Sequence, residues 1–142
     1  MKWLGNLYSI VFAVTVIYLM AILEPKYFPV VRNWTVTHME KDDHAVLISG
    51  YMHKVRACKF QGVVATDTAT NMQLPLKFLD NPTDSTKSRP TGSQEWGNWR
   101  IQVPDTTSEV QFRAYHDCHS IWSTKTVLGT INLYGKLNGA RQ

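Results

Sequence analysis

The residues best suited to chemistry are two cysteines and the histidines near them. Cys118 stands between His116 and His119, and Cys58 and His53 come earlier in the chain. Thiolate and imidazole are ligands that Zn²⁺ and copper accept, so a metal-binding or redox site is one interpretation. The spacing fits neither a CxxC knuckle nor the CxxCH haem motif, and on a strand His119 would point away from Cys118. The metal site is therefore the minor interpretation.

Motifs for catalysis are missing from the chain. There is no GxSxG, no HExxH and no phosphate-binding loop, so the sequence predicts neither an enzyme nor a cofactor. The 15 Lys and Arg residues exceed the 11 acidic residues only modestly, and they are scattered rather than clustered. A mixed, solvated surface is the natural interpretation, and binding to nucleic acid is not expected.

The elements that must position these residues begin with an uncharged apolar segment, residues 3–23. At ~1.5 Å per helical residue it is roughly 32 Å long, enough for a hydrocarbon core of about 30 Å. Only Asn6, Ser9 and Thr15 interrupt it, which is too little for the polar stripe of a surface helix. The sequence predicts a single-pass membrane anchor in contact with lipid, and a buried core helix is the alternative.

The flanks of this segment predict its orientation. The amino terminus and Lys2 form a short positive tail of residues 1–2, whereas the opposite charges of Glu24 and Lys26, on the other side of the segment, nearly cancel. Short positive tails stay in the cytoplasm, which places the rest of the chain in the periplasm or outside the cell. The segment lacks the small residues of a signal-peptidase site, so an uncleaved signal anchor is expected over a cleaved signal peptide.

The remaining chain is expected to comprise a stalk, one domain and a tail. Residues 24–32 contain Pro25 and Pro29 and predict a short, stiff, non-helical stalk. Residues 33–136 are long enough for one domain with its own core, and residues 137–142 form a C-terminal tail.

The pattern of the domain has period two and no convincing helical spacing. Gly50 interrupts a long alternating run and predicts a bulge or bend. Pro75 lies within the run from Gln73 to Leu79, and because proline cannot donate a main-chain hydrogen bond, this run is predicted to be an edge strand. About seven short strands bounded by turn residues predict an all-β fold, an antiparallel two-sheet sandwich, with a closed barrel as the alternative.

The two cysteines are expected to form one disulfide bond across this fold. An even pair on the translocated side of a membrane lies in an oxidising compartment. Cys118 shares strand parity with Phe112 and Ala114, and Cys58 shares it with Phe60, so both sulfurs are expected to face the core. The two cysteines are 60 residues apart. In the chain-entropy model, a disulfide that closes a loop of this length stabilises the fold by on the order of 4 kcal/mol.

A polar loop and its neighbours are the candidate partner-binding surface. Residues 80–94 contain no large apolar residue, which predicts a long exposed loop. Trp96 follows it and is expected to be exposed, while Trp99 is expected in the core. Exposed Trp beside Arg is typical of binding hot spots. The candidate surface comprises Arg89, Trp96, Trp99 and Arg100, and aromatic packing at the sheet rim is the alternative.

The arrangement of Trp34 on the first strand, Cys58 on the second and a Tyr115-containing strand ending in Cys118 resembles immunoglobulin and fibronectin type III domains. That resemblance implies the sandwich and the bridge. The tyrosine stands three residues before the second cysteine, where the family has it two before, and no Trp follows Cys58 on its strand. The overall plan also resembles short membrane-anchored bacteriophage proteins of unknown role.

These observations favour a membrane-anchored extracytoplasmic binding module. Its expected partner is another envelope protein or a second copy of itself. Gly5, Ser9 and Ala13 are small residues at spacing four, which would let two helices approach closely in lipid. The alternatives are a metal or redox protein using Cys58, His116 and Cys118, and a structural component of a membrane assembly.

Overall fold

The computed structural model describes residues 2–79 and 89–134, with the backbone alone for residues 2–5. One helix precedes eight strands. The elements are α1 (Lys2–Tyr27), β1 (Val31–Asp42), β2 (Ala45–Lys54), β3 (Lys59–Asp67), β4 (Gln73–Leu74), β5 (Leu76–Phe78), β6 (Gly92–Gln102), β7 (Glu109–Asp117) and β8 (Thr124–Asn132).

The strands form two four-stranded antiparallel sheets. One has the order β1-β2-β6-β5 and the other has the order β4-β3-β7-β8. Alternate side chains of both sheets are buried between them, for example Ile48 and Ile101 of the first sheet and Val110 and Phe112 of the second. The predicted sandwich is therefore confirmed, and it is favoured over the closed barrel because the described strands form two separate sheets.

Glycine and proline mark the irregular points of the sheets, as the sequence indicates. The register between β2 and β6 shifts between Ile48 and Gly50, which confirms the predicted bulge. A Cβ atom at Gly50 would lie 1.9 Å from the carbonyl oxygen of Thr35, so no larger residue fits there. Pro75 separates β4 from β5, which lie at the edges of different sheets. The predicted edge strand is thus two short edge strands, with the chain changing sheets at the proline.

The prediction that residues 80–94 form a loop is wrong at its C-terminal end, because β6 begins at Gly92. Ser93 and Gln94 pair with His53 and Met52 of β2. Main-chain pairing in an antiparallel sheet needs no apolar side chain on the solvated face, so polar composition alone did not reveal this strand. Residues 80–88 of the predicted loop lie outside the described residues.

Most of helix α1 stands apart from the sheets, and only its C-terminal end contacts them. Its residues Asn6–Tyr27 are long and apolar enough to cross a membrane, and none of the most apolar part is buried against the rest of the described chain. Large apolar side chains such as Leu7, Phe12 and Ile22 are more than half exposed. A helix with apolar side chains on all faces is expected to lie in an apolar medium or against a partner.

Candidate functional site

The carboxylate of Glu24, in the last turn of α1, is buried against the sandwich and is only 6% exposed. Its Oε1 atom accepts hydrogen bonds from Arg56 Nη1 at 2.6 Å and from His119 Nε2 at 2.7 Å. Its Oε2 atom accepts from Trp122 Nε1 at 2.7 Å and from Thr124 Oγ1 at 3.1 Å. We call these five residues the helix–domain junction. Both carboxylate oxygens are satisfied by two donors each, which is the condition for burying a charge at tolerable cost.

The junction corrects the expected stalk at residues 24–32. The helix does not end before Pro25 but continues to Tyr27, and Arg56 Nη1 also donates to the carbonyl oxygen of Phe28 at 2.9 Å. Val30 is fully buried in the domain. Proline has no N–H for the helix bond at this position, so the contacts that Glu24 and Phe28 make with the domain hold the last turn in place. The helix is consequently fixed to the sandwich rather than linked to it by a spacer.

The disulfide connects the two loops that provide most of the junction. Cys58 and Cys118 are bonded, as predicted, and the described residues include no free cysteine. Arg56 precedes Cys58 in the β2–β3 connection, and His119 follows Cys118 in the β7–β8 connection. The bridge therefore holds opposite sides of the carboxylate site together. With both sulfurs bonded to each other, neither is available as a thiolate ligand.

The histidines of the minor metal interpretation are separated by this arrangement. His116 is 3% exposed, in the core, whereas His119 belongs to the helix–domain junction. Within residues 2–79 and 89–134, no group of three His, Cys, Asp or Glu side chains is placed to hold a metal ion.

An aromatic cluster forms the centre of the sandwich. Trp34 and Trp96 stack with ring centroids 4.9 Å apart, and Trp96 contacts Trp99 at 4.4 Å. Phe112 from the opposite sheet lies 5.3 Å from Trp34. The expectation that Trp96 is exposed is wrong, since its side chain is 3% exposed, while Trp99 lies in the core as predicted. The bulge at Gly50 shifts the register of β2 against β6 next to Trp96, which simple alternation does not take into account.

A cavity of about 400 Å³ lies beside this cluster, between the two sheets. Its polar lining includes Lys54 at the end of β2, His116 near the end of β7, and Arg89 just before β6. Trp96 and Trp99 form part of its wall. A cavity of this size, with apolar walls and a few polar groups, is typical of a site for a small molecule.

No family model, curated protein or solved structure matches this chain. The resemblance to immunoglobulin and fibronectin type III domains therefore extends to the two-sheet architecture and the bridge, and no family is assigned.

The structure brings together three of the four residues predicted to bind a partner. Arg89, Trp96 and Trp99 all line the cavity. Arg100 does not; it lies on the solvated face, 3.7 Å from the carboxylate of Asp42. These residues thus surround an internal site instead of forming an exposed patch.

Sequence reasoning missed the two most informative charged residues, Glu24 and Lys54. Glu24 is the first charged residue after the apolar segment, and Lys54 ends an alternating strand on its inward side. A charged residue at an inward position of a strand was the available signal for Lys54. The sequence contains no signal for the partners of Glu24, because they are 32 to 100 residues away.

The titration of His116 predicts how the stability of the fold depends on pH. Burial, and then the positive charges of Lys54 and Arg56, lower the pKa of His116 to about 4 from its ordinary 6.5, and Asp117 only partly opposes them. As pH falls from 6.5 to 4, the unfolded chain binds a proton that the folded chain does not, so stability decreases across that window. We expect a loss on the order of 3 kcal/mol by pH 4, with little contribution above pH 7.

Denaturant unfolding of the full chain between pH 7 and pH 4.5 measures this effect. His116→Gln should remove most of the pH dependence. His38→Gln, which changes an exposed histidine, should leave it intact. An unchanged pH slope in the His116→Gln variant would show that another group is responsible.

Proposed function

We propose that this protein is a membrane-anchored binding module that holds its sandwich domain at the outer surface of a membrane. The observation that carries the proposal is the helix–domain junction. Glu24 fixes the last turn of an apolar helix directly to the domain, so the domain cannot swing freely at the end of a tether. A domain held in this way would meet only partners at or very near the bilayer.

Three further features support the extracytoplasmic part of the proposal. Lys2 lies at the N-terminal end of α1, before the uncharged apolar segment, and positive charge there favours the cytoplasmic side for this end of the helix. The bond between Cys58 and Cys118 suits an oxidising compartment. The plan also resembles that of small bacteriophage membrane proteins, so we include a phage-encoded protein acting at the host envelope in the proposal.

Topology in cells is the first test. We expect the full chain, tagged at its C-terminus, to sediment with membranes and to resist extraction by high salt. Protease added outside spheroplasts should remove the tag, while a cytoplasmic marker protein stays intact until detergent is added. Recovery of the chain in the soluble fraction, or protection of the tag in intact spheroplasts, would refute the proposed location.

Binding is the second test, made on the same membranes. A lysine-reactive crosslinker should produce a discrete larger band that contains this chain and either another envelope protein or a second copy. The variant pair Ser9→Leu and Val14→Leu separates these outcomes, since Ser9 belongs to the small-residue series and Val14 does not. Loss of the band in Ser9→Leu alone identifies self-association through the helix. Monomer alone in the wild type would contradict the proposal.

A further inference from the structure

The cavity between the sheets contains a buried positive charge without a carboxylate partner among the described residues. Lys54 is 2% exposed, and its Nζ atom donates to the carbonyl oxygens of Cys58 at 3.0 Å and Arg89 at 2.7 Å. No ion pair formed within residues 2–79 and 89–134 includes Lys54. An ammonium group has three donors, so two carbonyls leave one donor unused and the net charge uncompensated. Burial lowers the pKa of Lys54, as expected for a desolvated cation.

Two further polar atoms of cavity-lining residues have no hydrogen-bond partner within the part of the chain that the structure describes. They are Nδ1 of His116 and Nε1 of Trp96, and both side chains are 3% exposed. The indole N–H can only donate, and an imidazole nitrogen can donate in one tautomer. Buried polar atoms are normally paired, so unpaired atoms beside a cavity indicate where a ligand would bind. With Lys54, these groups would favour an acceptor that carries negative charge.

Much of the remaining lining is apolar and comes from both sheets, alongside polar residues such as Ser49 and Asn98. The largest of these apolar side chains are Met52, Phe60, Val63, Phe78, Trp99 and Leu128. They could contact the apolar part of a ligand whose polar group lies against Lys54 and His116. The carboxylate of Glu95, the acidic residue of the lining, accepts a hydrogen bond from the exposed hydroxyl of Tyr51 at 2.8 Å, at the rim of the cavity.

We infer that this cavity binds a small apolar monocarboxylic acid, with its carboxylate against Lys54 and its apolar body between the two sheets. Lys54, the buried cation that has no carboxylate partner among the described residues, matches one negative charge. The other cation of the lining, Arg89, already donates to the carbonyl oxygen of Glu95 at 2.7 Å. A phosphate monoester would bring nearly two charges and three acceptor oxygens, which a single buried ammonium group matches less well than a carboxylate. The inference goes beyond the proposed function and does not depend on the side of the membrane that the domain occupies.

Binding of decanoate to the full chain in nanodiscs of neutral lipid tests the inference. Trp96 and Trp99 line the cavity, so ligand entry should change tryptophan fluorescence in a saturable way, after subtraction of a titration of empty nanodiscs. Decanol has the same chain without the charge and should bind at least about tenfold more weakly, because it lacks a charge-assisted hydrogen bond.

A lysine variant and its matched control complete the design. Lys54→Met keeps an unbranched side chain that is one atom shorter and removes its charge, and it should weaken decanoate binding by about tenfold or more. Lys59→Met changes an exposed lysine of β3 and should bind decanoate as the wild type does. If Lys54→Met fails to fold, the comparison of decanoate with decanol on the wild type decides alone.

Three results would overturn the inference. They are no saturable response to decanoate, equal affinities for decanoate and decanol, and decanoate binding by folded Lys54→Met as tight as that of the wild type. None of these bears on the proposed membrane location, which the protease experiment tests separately.

Discussion

Replacing Glu24 by glutamine is expected to lower the free energy of unfolding by about 3 kcal/mol. Glutamine has nearly the same shape, but its amide has one acceptor oxygen and places an NH₂ group against two donors. Arg56, only 29% exposed, would keep a positive charge that its buried partner no longer neutralises. Removing one member of a buried ion pair typically costs 3–5 kcal/mol, mostly because the other is left without compensation.

Chemical denaturation of the purified full chain in mild detergent, followed by tryptophan fluorescence, measures this loss. Glu40→Gln is the matched control, since Glu40 is an exposed carboxylate whose ion pair among the described residues is with His38, at 4.0 Å. The control should change stability by less than about 0.5 kcal/mol. Equal stability of Glu24→Gln and Glu40→Gln would mean that the helix–domain junction contributes little.

Removal of the disulfide is expected to have an effect of similar size. Cys58 and Cys118 are 60 residues apart, and the chain-entropy model gives about 4 kcal/mol for a loop of that length. The wild type should therefore lose about this much stability when reductant is added. The double variant Cys58→Ala, Cys118→Ala should have the lower stability from the outset and should not respond to reductant.

Thiol counting under denaturing conditions gives the independent check on the bridge. No reactive thiol is expected without reductant and two after reduction. Two thiols before reduction would contradict the bridge and favour the metal or redox alternative.

We also expect Glu24→Gln to lower the free energy of unfolding by less without the bridge than with it, because the bridge positions the loops that contain Arg56 and His119.

The sequence predicts the architecture well because hydrophobic period and turn chemistry are local signals. The apolar helix, the period-two strands, the bulge at Gly50 and the edge position of Pro75 can each be read from a few neighbouring residues. Strand parity also places Phe112 and Ala114 in the core, where both are buried. Parity further indicated that the two cysteines face the same interior, which made their pairing predictable.

The sites are predicted less well because they depend on contacts between distant segments. The exposure of Trp96 was misjudged because register relative to β2 and stacking on Trp34 decide it, and neither is visible in its own neighbourhood. The stalk was misjudged because four donors from the domain hold Glu24. The separation of Arg89 from Arg100 likewise depends on which way each side chain projects from its chain segment.

The wide spacing of the junction in the chain has a consequence for biogenesis. Glu24 is made early, but Thr124, which completes its set of donors, follows 100 residues later. If α1 enters a bilayer as we propose, it would do so while this carboxylate still lacks its final partners. The angle between α1 and the domain can be set only after β8 has been synthesised and has paired in its sheet, so truncated or stalled chains would retain a loosely hinged helix.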